Sequence, residues 1–132
     1  MVPSRCLLFL GASVLALSCR SGGAVSPLAL YPASSEGSNA RLNGTLEMNG
    51  DCLYITRGTG ERWLAAFPSP GTAWEAGERS VRMGEKVLKV GGAGGFNGGE
   101  MSRGVEGIRW VQAPGKECDS SKIWLVTTLA EP

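Results

Sequence analysis

The sequence of 132 residues contains no histidine. This absence removes the most common general base and the most common zinc ligand together. An enzyme without histidine would depend on carboxylates, lysine, tyrosine, hydroxyls or cysteine, and no spacing in the sequence places two carboxylates beside an aromatic cleft. We therefore expect a protein that is not an enzyme and has no cofactor and no metal site. A hydrolase that uses two carboxylates is the alternative.

The sequence also lacks an excess of charge of either sign. It has 13 lysine and arginine residues against 12 aspartate and glutamate residues, for a net charge of +1. Binding to nucleic acid requires clustered lysine and arginine, so we expect no nucleic-acid partner. No segment has the pattern of an amphipathic helix, and 20 glycines and 7 prolines indicate many turns.

Residues 1–18 have the features of an export signal. Arg5 supplies a positive charge, and residues 6–17 (CLLFLGASVLAL) form an uncharged apolar run. The run is too short to span the hydrocarbon core of a bilayer, which is about 30 Å thick. A buried helix of the core is the alternative interpretation, but the run has no polar stripe at helical spacing.

The end of this run, Ala16-Leu17-Ser18-Cys19, resembles the lipobox of bacterial lipoproteins. In that family the chain is cut before the cysteine, which carries the acyl chains. The resemblance implies that Cys19 is the lipid-attachment residue and that the membrane is a partner through this anchor, at the outer membrane or its periplasmic face. Cleavage by ordinary signal peptidase, which would give a soluble secreted or periplasmic protein, is the alternative.

Residues 19–41 follow the apolar run and are rich in serine, glycine, alanine and proline. This composition is typical of a flexible tether. We therefore expect three regions: a signal peptide at 1–18, the acylated cysteine and tether at 19–41, and a folded domain at 42–129.

The four cysteines divide according to these regions. Cys6 lies in the signal and Cys19 would be acylated, which leaves Cys52 and Cys118 in a compartment that permits disulfides. We predict that these two form a disulfide. A redox or metal-binding pair is the alternative, although the sequence has no C-x-x-C and no histidine to complete such a site.

From Leu42 onward, alternating apolar residues and closely spaced turns predict an all-β fold. Asn49-Gly50 predicts a two-residue hairpin turn that places Leu46 opposite Leu53, with Ile55 on the same core face. Further strands are predicted at 62–67, 80–83, 86–90, 107–111 and 122–128. About six to seven short strands in one small domain indicate an OB-like or half-closed β-barrel.

The glycine-rich segment 91–100 (GGAGGFNGGE) lacks the features of a phosphate-binding loop. Gly94 and Gly99 have the separation of a P-loop, but Glu100 stands where the lysine belongs. We predict a long, flexible hairpin loop here.

Four tryptophans, Trp63, Trp74, Trp110 and Trp124, lie in or beside predicted strands. Packing in the core explains such residues, and an exposed aromatic platform for a glycan or protein ligand is the alternative. We name Trp74 and Trp63 as the candidate ligand-binding aromatics, with Trp74 the more exposed because a turn adjoins it.

The order of these features from Gly44 to Val126 runs G-T-L, C-L-Y, W-L, F-P and G-T-x-W, and ends in a cysteine and I-W-L-V. It resembles a small domain found in exported bacterial proteins of uncharacterised function. The resemblance implies a fold and a disulfide and brings no activity. We expect a cell-envelope lipoprotein that acts as a non-catalytic binding or envelope-associated module, with a small periplasmic enzyme inhibitor as the alternative.

Overall fold

The computed structural model describes residues 26–34, 39–101 and 103–132. The predicted signal peptide and Cys19 lie outside these residues. The described chain forms nine strands and one short 3-10 turn: β1 Ala29–Pro32, β2 Ala40–Asn49, β3 Cys52–Thr56, β4 Arg62–Ser69, β5 Thr72–Glu75, β6 Ser80–Met83, β7 Lys86–Lys89, β8 Ala93–Met101, the 3-10 turn Val105–Gly107, and β9 Ile123–Ala130. The all-β prediction is confirmed, with nine strands where six to seven were expected.

Five strands form a ring. The larger sheet has the order β1-β4-β3-β2-β8-β9, and β4 also pairs with β9. The β4–β9 pairing is parallel, whereas the other pairings around the ring are antiparallel. Strands β5, β6 and β7 form a separate antiparallel sheet. This partly closed ring agrees with the predicted half-closed, OB-like barrel.

Side chains from all five strands fill the ring. Alternate residues of each strand face inward, as the period of two requires. Leu46, Leu53 and Ile55 lie together in this core, as predicted from the hairpin sequence. The indole N–H of Trp124 donates a hydrogen bond of 3.0 Å to the Phe96 carbonyl oxygen, which satisfies its polar group inside the core.

The outer faces of β3, β4 and β9 are buried as well. Cys52, Tyr54, Leu64 and Ile123 form a second apolar cluster there, covered by side chains from the segment between β8 and β9. The predicted disulfide is confirmed: it joins Cys52 in β3 to Cys118 in the covering segment, with 5.6 Å between the two Cα atoms.

The predicted strand at 107–111 does not form. Val105–Gly107 is a 3-10 turn, and beyond it only Gln112 makes an isolated bridge, to Leu30. The apolar residues of this segment, Ile108 and Trp110, pack on the second cluster instead of pairing with a strand. Their alternation therefore reflects a covering segment that lies across the sheet.

Strand β1 lies inside the region predicted as a tether. It pairs in parallel with β4, from Ala29 opposite Ala66 to Pro32 opposite Ser69. Leu28 and Ala29 are only 3% and 2% exposed. The tether prediction is therefore wrong for these residues. The apolar stretch Leu28–Tyr31 gains burial because β9 pairs with β4 only as far as Ala66 and leaves the rest of that edge open.

The glycine-rich segment is a strand and not the predicted loop. Most of it forms β8, which pairs with β2 on one side and β9 on the other. The strand needs a glycine at position 98 for close approach, because a Cβ there would overlap the Leu125 carbonyl oxygen of the neighbouring strand. Phe96, in the same strand, is fully buried.

The β2–β3 hairpin differs from its predicted register. Asn49 pairs with Cys52, and Leu46 pairs with Ile55, so the turn residues are Gly50 and Asp51. Gly50 has a φ of +63°, which matches the glycine-first pattern of a type II′ turn. The partner of each β2 residue is thus two positions further along β3 than predicted; for Leu46 it is Ile55 in place of Leu53. Because side chains alternate with a period of two, the same side chains still face the core.

Candidate functional site

OB-like barrels bind ligands on the outer face of the second and third ring strands. In this ring those strands are β3 and β4, and the covering segment occupies that face. The Cys52–Cys118 disulfide attaches the segment to β3, and the Asp119 backbone N–H donates to the Tyr54 hydroxyl at 2.8 Å. This face is therefore not open to a ligand in this chain.

An open groove lies between the β6–β7 hairpin and the C-terminal half of β9. It consists of two adjoining cavities of about 350 and 470 Å³, which share Glu85, Lys86 and Leu129. We call it the hairpin groove. The remaining lining residues are Val87, Leu88, Ala93, Gly94 and 130–132 in the first cavity, and Gly71, Met83, Gly84, Thr127 and Thr128 in the second.

Apolar side chains hold the small sheet against the ring. Trp74, Val81 and Leu88 are paired across β5, β6 and β7, and all three contact the main core. Leu88 fits against the glycines before and within β8: a Cβ at either Gly92 or Gly94 would lie 3.1 Å from a Leu88 methyl group. The glycine-rich segment thus fixes one wall of the hairpin groove.

The groove combines apolar walls with a few polar groups. Val87 is 44% exposed, one of the most exposed large apolar side chains of the described residues. Asn97 donates to the Thr128 hydroxyl oxygen at 2.9 Å, which leaves the hydroxyl hydrogen free to donate to a ligand. Glu85, Lys86 and Glu131 supply charges of both signs. Such a surface can bind a largely neutral segment of a glycan or polypeptide.

A second polar feature lies at the opposite end of β3 from the Cys52 turn. Glu61 accepts hydrogen bonds from Lys122 at 2.6 Å and from Arg57 at 3.0 Å. These two bonds, Lys122 first, lower the pKa of Glu61 to about 2. The carboxylate is therefore held in its ionised form by two cations.

Asp119 lies beside this cluster and is also held ionised. The backbone N–H and the hydroxyl of Ser121 donate to it, and Arg62 forms an ion pair with it at 3.3 Å. These bonds lower the pKa of Asp119. A glycosidase-type general acid needs a raised pKa, so neither Glu61 nor Asp119 has the environment for that role.

Trp63 lies in the core and not on an open surface. It is 8% exposed and makes an edge-to-face contact with Trp124, with 5.5 Å between the ring centroids. The Lys122 ammonium lies 5.4 Å from the Trp63 ring centroid. The Trp63 indole N–H makes no hydrogen bond of normal geometry, although it is near enough to the Glu61 carboxylate to help lower its pKa.

The expectation that Trp63 presents a ligand-binding ring therefore has to be corrected. Its position on the inward side of β4, two residues before Ala65 in the same core, gives the physical reason. Trp74 is half-buried against the core, and Trp110 is half-buried with its indole N–H donating to the Val105 carbonyl oxygen. Within the described residues the only contact between two aromatic rings is the buried, edge-to-face pair of Trp63 and Trp124.

Cys52, Glu117 and Cys118 bring three potential metal-ligand atoms within 4.8 Å of one another. Both sulfurs are consumed by the disulfide, so neither is available as a thiolate ligand. The cluster is therefore explained by the covalent link. Over the described ranges, no helix has the length and apolar character needed to cross a membrane.

The hairpin groove has no continuous signal in the sequence. Its residues come from a hairpin and from a strand that lie more than 40 positions apart, and only the fold brings them together. The one local signal is the adjacent pair Val87-Leu88 in a short strand. Because successive side chains point to opposite faces, one of the two has to face away from the core.

Comparisons with protein-family models, with curated proteins and with solved structures find no match to this chain.

Proposed function

We propose that the chain is a bacterial cell-envelope lipoprotein, anchored through acyl chains on Cys19, whose β domain is a non-catalytic binding module. The observation that carries the proposal is the Cys52–Cys118 disulfide. Structural disulfides persist in oxidising compartments such as the periplasm and the cell surface. The bond supports export, and the lipobox-like sequence before Cys19 supports anchoring after export.

The anchor is tested by metabolic labelling of the full chain in a bacterial host. Cys19→Ala is expected to abolish palmitate incorporation and to release the protein from the membrane fraction. Cys6→Ala is the matched control, because this cysteine lies in the apolar run and its loss should leave labelling unchanged. A parent protein that is cleaved but carries no palmitate would contradict the anchor and favour ordinary secretion.

The binding surface that we propose is the hairpin groove, with a glycan or a protein of the envelope as its ligand. The groove is open, has apolar walls, and has a hydroxyl with a free donor at Thr128. The outer face that OB-like barrels commonly use is covered in this chain. These features favour binding of an extended, weakly charged ligand over catalysis of a reaction of that ligand.

The groove is tested with purified protein, isolated peptidoglycan and a panel of purified envelope proteins. Thr128→Arg places a large cation in the groove from an exposed position, and it is expected to abolish binding. Thr59→Arg makes the same change in the exposed β3–β4 loop and is expected to leave binding intact. Equal binding by both variants and the parent would contradict this assignment.

A further inference from the structure

The folded domain begins very close to the proposed anchor. Leu28 is buried, and the Gln112 side-chain amide donates to the Leu28 carbonyl oxygen at 2.8 Å. Ser26 is already part of the described structure, so six residues separate it from Cys19. A chain of this length reaches at most about 25 Å when fully extended.

This reach is shorter than the diameter of the domain. A domain of about 105 residues has a radius of gyration of about 13 Å, which corresponds to a diameter of about 33 Å. The connection to Cys19 therefore cannot carry the far side of the domain to the bilayer that holds the anchor. A tether extending to residue 41, as expected from the sequence, would have allowed the domain to turn freely.

The chain enters the domain at a defined surface. Ser26, Pro27, Asp51, Glu117 and the segment 112–115 line a shallow cavity of about 280 Å³. We call this surface, together with the adjoining Val111, the exit face. It contains the uncharged run V-Q-A-P-G at 111–115, and Val111 is 56% exposed.

The exit face is firmly attached to β1. The backbone N–H groups of Val111 and Gln112 donate to the Leu30 carbonyl oxygen at 2.8 and 3.1 Å, and the Leu30 N–H donates to the Gln112 carbonyl oxygen at 2.8 Å. The disulfide at Cys118 fixes the other end of the segment. The position at which the chain leaves the domain is therefore fixed relative to the exit face.

We infer that the exit face lies against the bilayer that carries the acyl chains of Cys19. The inference depends on the proposed anchor, and it adds an orientation and a contact surface. The short connection between Cys19 and Ser26 keeps the exit face close to the bilayer. The uncharged run 111–115, with its exposed valine, is the part of the exit face that can approach the headgroup layer, and the exposed carboxylates of Asp51 and Glu117 border it.

The test uses the full-length acylated protein in vesicles of phosphatidylethanolamine and phosphatidylglycerol that contain a headgroup-labelled acceptor lipid. A fluorescent donor is attached through a bioorthogonal amino acid at Ala113 on the exit face, or at Gly58 in the β3–β4 loop. Both positions are exposed, and a side chain at Gly58 meets only open space. The length of β3, about 16 Å at a rise of about 3.3 Å per residue, separates the exit face at Asp51 from the loop.

Energy transfer from the Ala113 donor is expected to exceed transfer from the Gly58 donor several-fold. Insertion of twenty glycine and serine residues after Gly22 is expected to lower the energy transfer from Ala113. The transfer efficiencies of the Ala113 and Gly58 donors should then be nearly equal. Equal transfer from both positions in the parent, with palmitate present and the protein bound to vesicles, would overturn the inference and leave the anchor intact. Absence of palmitate and of vesicle binding would overturn both.

Discussion

The Tyr31 hydroxyl donates a hydrogen bond of 2.5 Å to the Val126 carbonyl oxygen and so links β1 directly to β9. β9 pairs with β4 at residues 64–66, and β1 pairs with the same edge at residues 66–69. The bond therefore lies at the point along the edge of β4 where its pairing with β9 ends and its pairing with β1 begins. Burial raises the pKa of Tyr31 from its ordinary value of 10.0 to about 12.

Tyr31→Phe is expected to lower the free energy of unfolding at pH 7 by about 1 kcal/mol, because one intramolecular hydrogen bond is lost. The variant should also respond differently to alkali. Between pH 10 and pH 12 the phenol of the unfolded parent loses its proton and that of the folded parent keeps it, so stability falls as the pH rises. Urea denaturation across this range should show a shallower fall for the variant, and parallel curves would contradict the assignment.

The sequence predicted those parts of the fold that depend on residues close to one another along the chain. The alternation around Leu46, Leu53 and Ile55 identified a core face, and the strands predicted at 80–83 and 86–90 are found as the β6–β7 hairpin. The Asn49-Gly50 pair predicted a hairpin but the wrong turn, because Gly50 takes the first turn position and Asn49 joins the ladder. That choice depends on the pairing of the whole strand.

The remaining features depend on contacts between distant residues. Ala29–Pro32 forms a strand because β4 has an unpaired stretch of edge, which the sequence near residue 30 does not show. Gly98 of β8 is needed because the Leu125 backbone approaches it from β9. The hairpin groove is also a product of such long-range placement.

Gly98→Ala is expected to destabilise the protein by about 3 kcal/mol, at the upper end for overpacking, because the new methyl group would overlap the Leu125 carbonyl oxygen in the neighbouring strand. Gly58→Ala is the matched control. It lies in open space at an ordinary φ and should be neutral or stabilise by about 0.5 kcal/mol. Thermal unfolding of both variants would check the difference, and equal melting temperatures would contradict the close packing of β8 on β9.

Glu61→Gln is expected to flatten the acid dependence of stability. The folded pKa of Glu61 is about 2 and its ordinary value is 4.5, so its ion pairs stabilise the protein above pH 4.5 and lose their effect as the pH falls toward 2. Urea midpoints measured from pH 7 to pH 2 should fall less in the variant than in the parent. Glu78→Gln in the β5–β6 loop controls for removal of one carboxylate, and a response like that of Glu61→Gln would point to net charge as the cause.

Loss of the Cys52–Cys118 disulfide is expected to lower the free energy of unfolding by about 4 kcal/mol. The two cysteines are 66 residues apart, and a cross-link that closes a loop of this length removes much of the conformational freedom of the unfolded chain. The double variant Cys52→Ala and Cys118→Ala tests this in urea denaturation, beside the parent with and without reductant. The reduced parent and the double variant should unfold at similar midpoints, both below that of the oxidised parent.

The oxidised parent and the Cys52→Ala, Cys118→Ala double variant also test how firmly the covering segment is attached. Without the disulfide, the segment is still held by the Asp119 N–H bond to Tyr54, by the hydrogen bonds of Val111 and Gln112 with Leu30, and by the packing of Trp110. Because those contacts are fewer than the ones within the ring, amide exchange around residues 113–121 should accelerate more than exchange in β8 and β9. Uniform acceleration throughout the domain would instead show that the covalent link stabilises the ring and the covering segment as one cooperative unit.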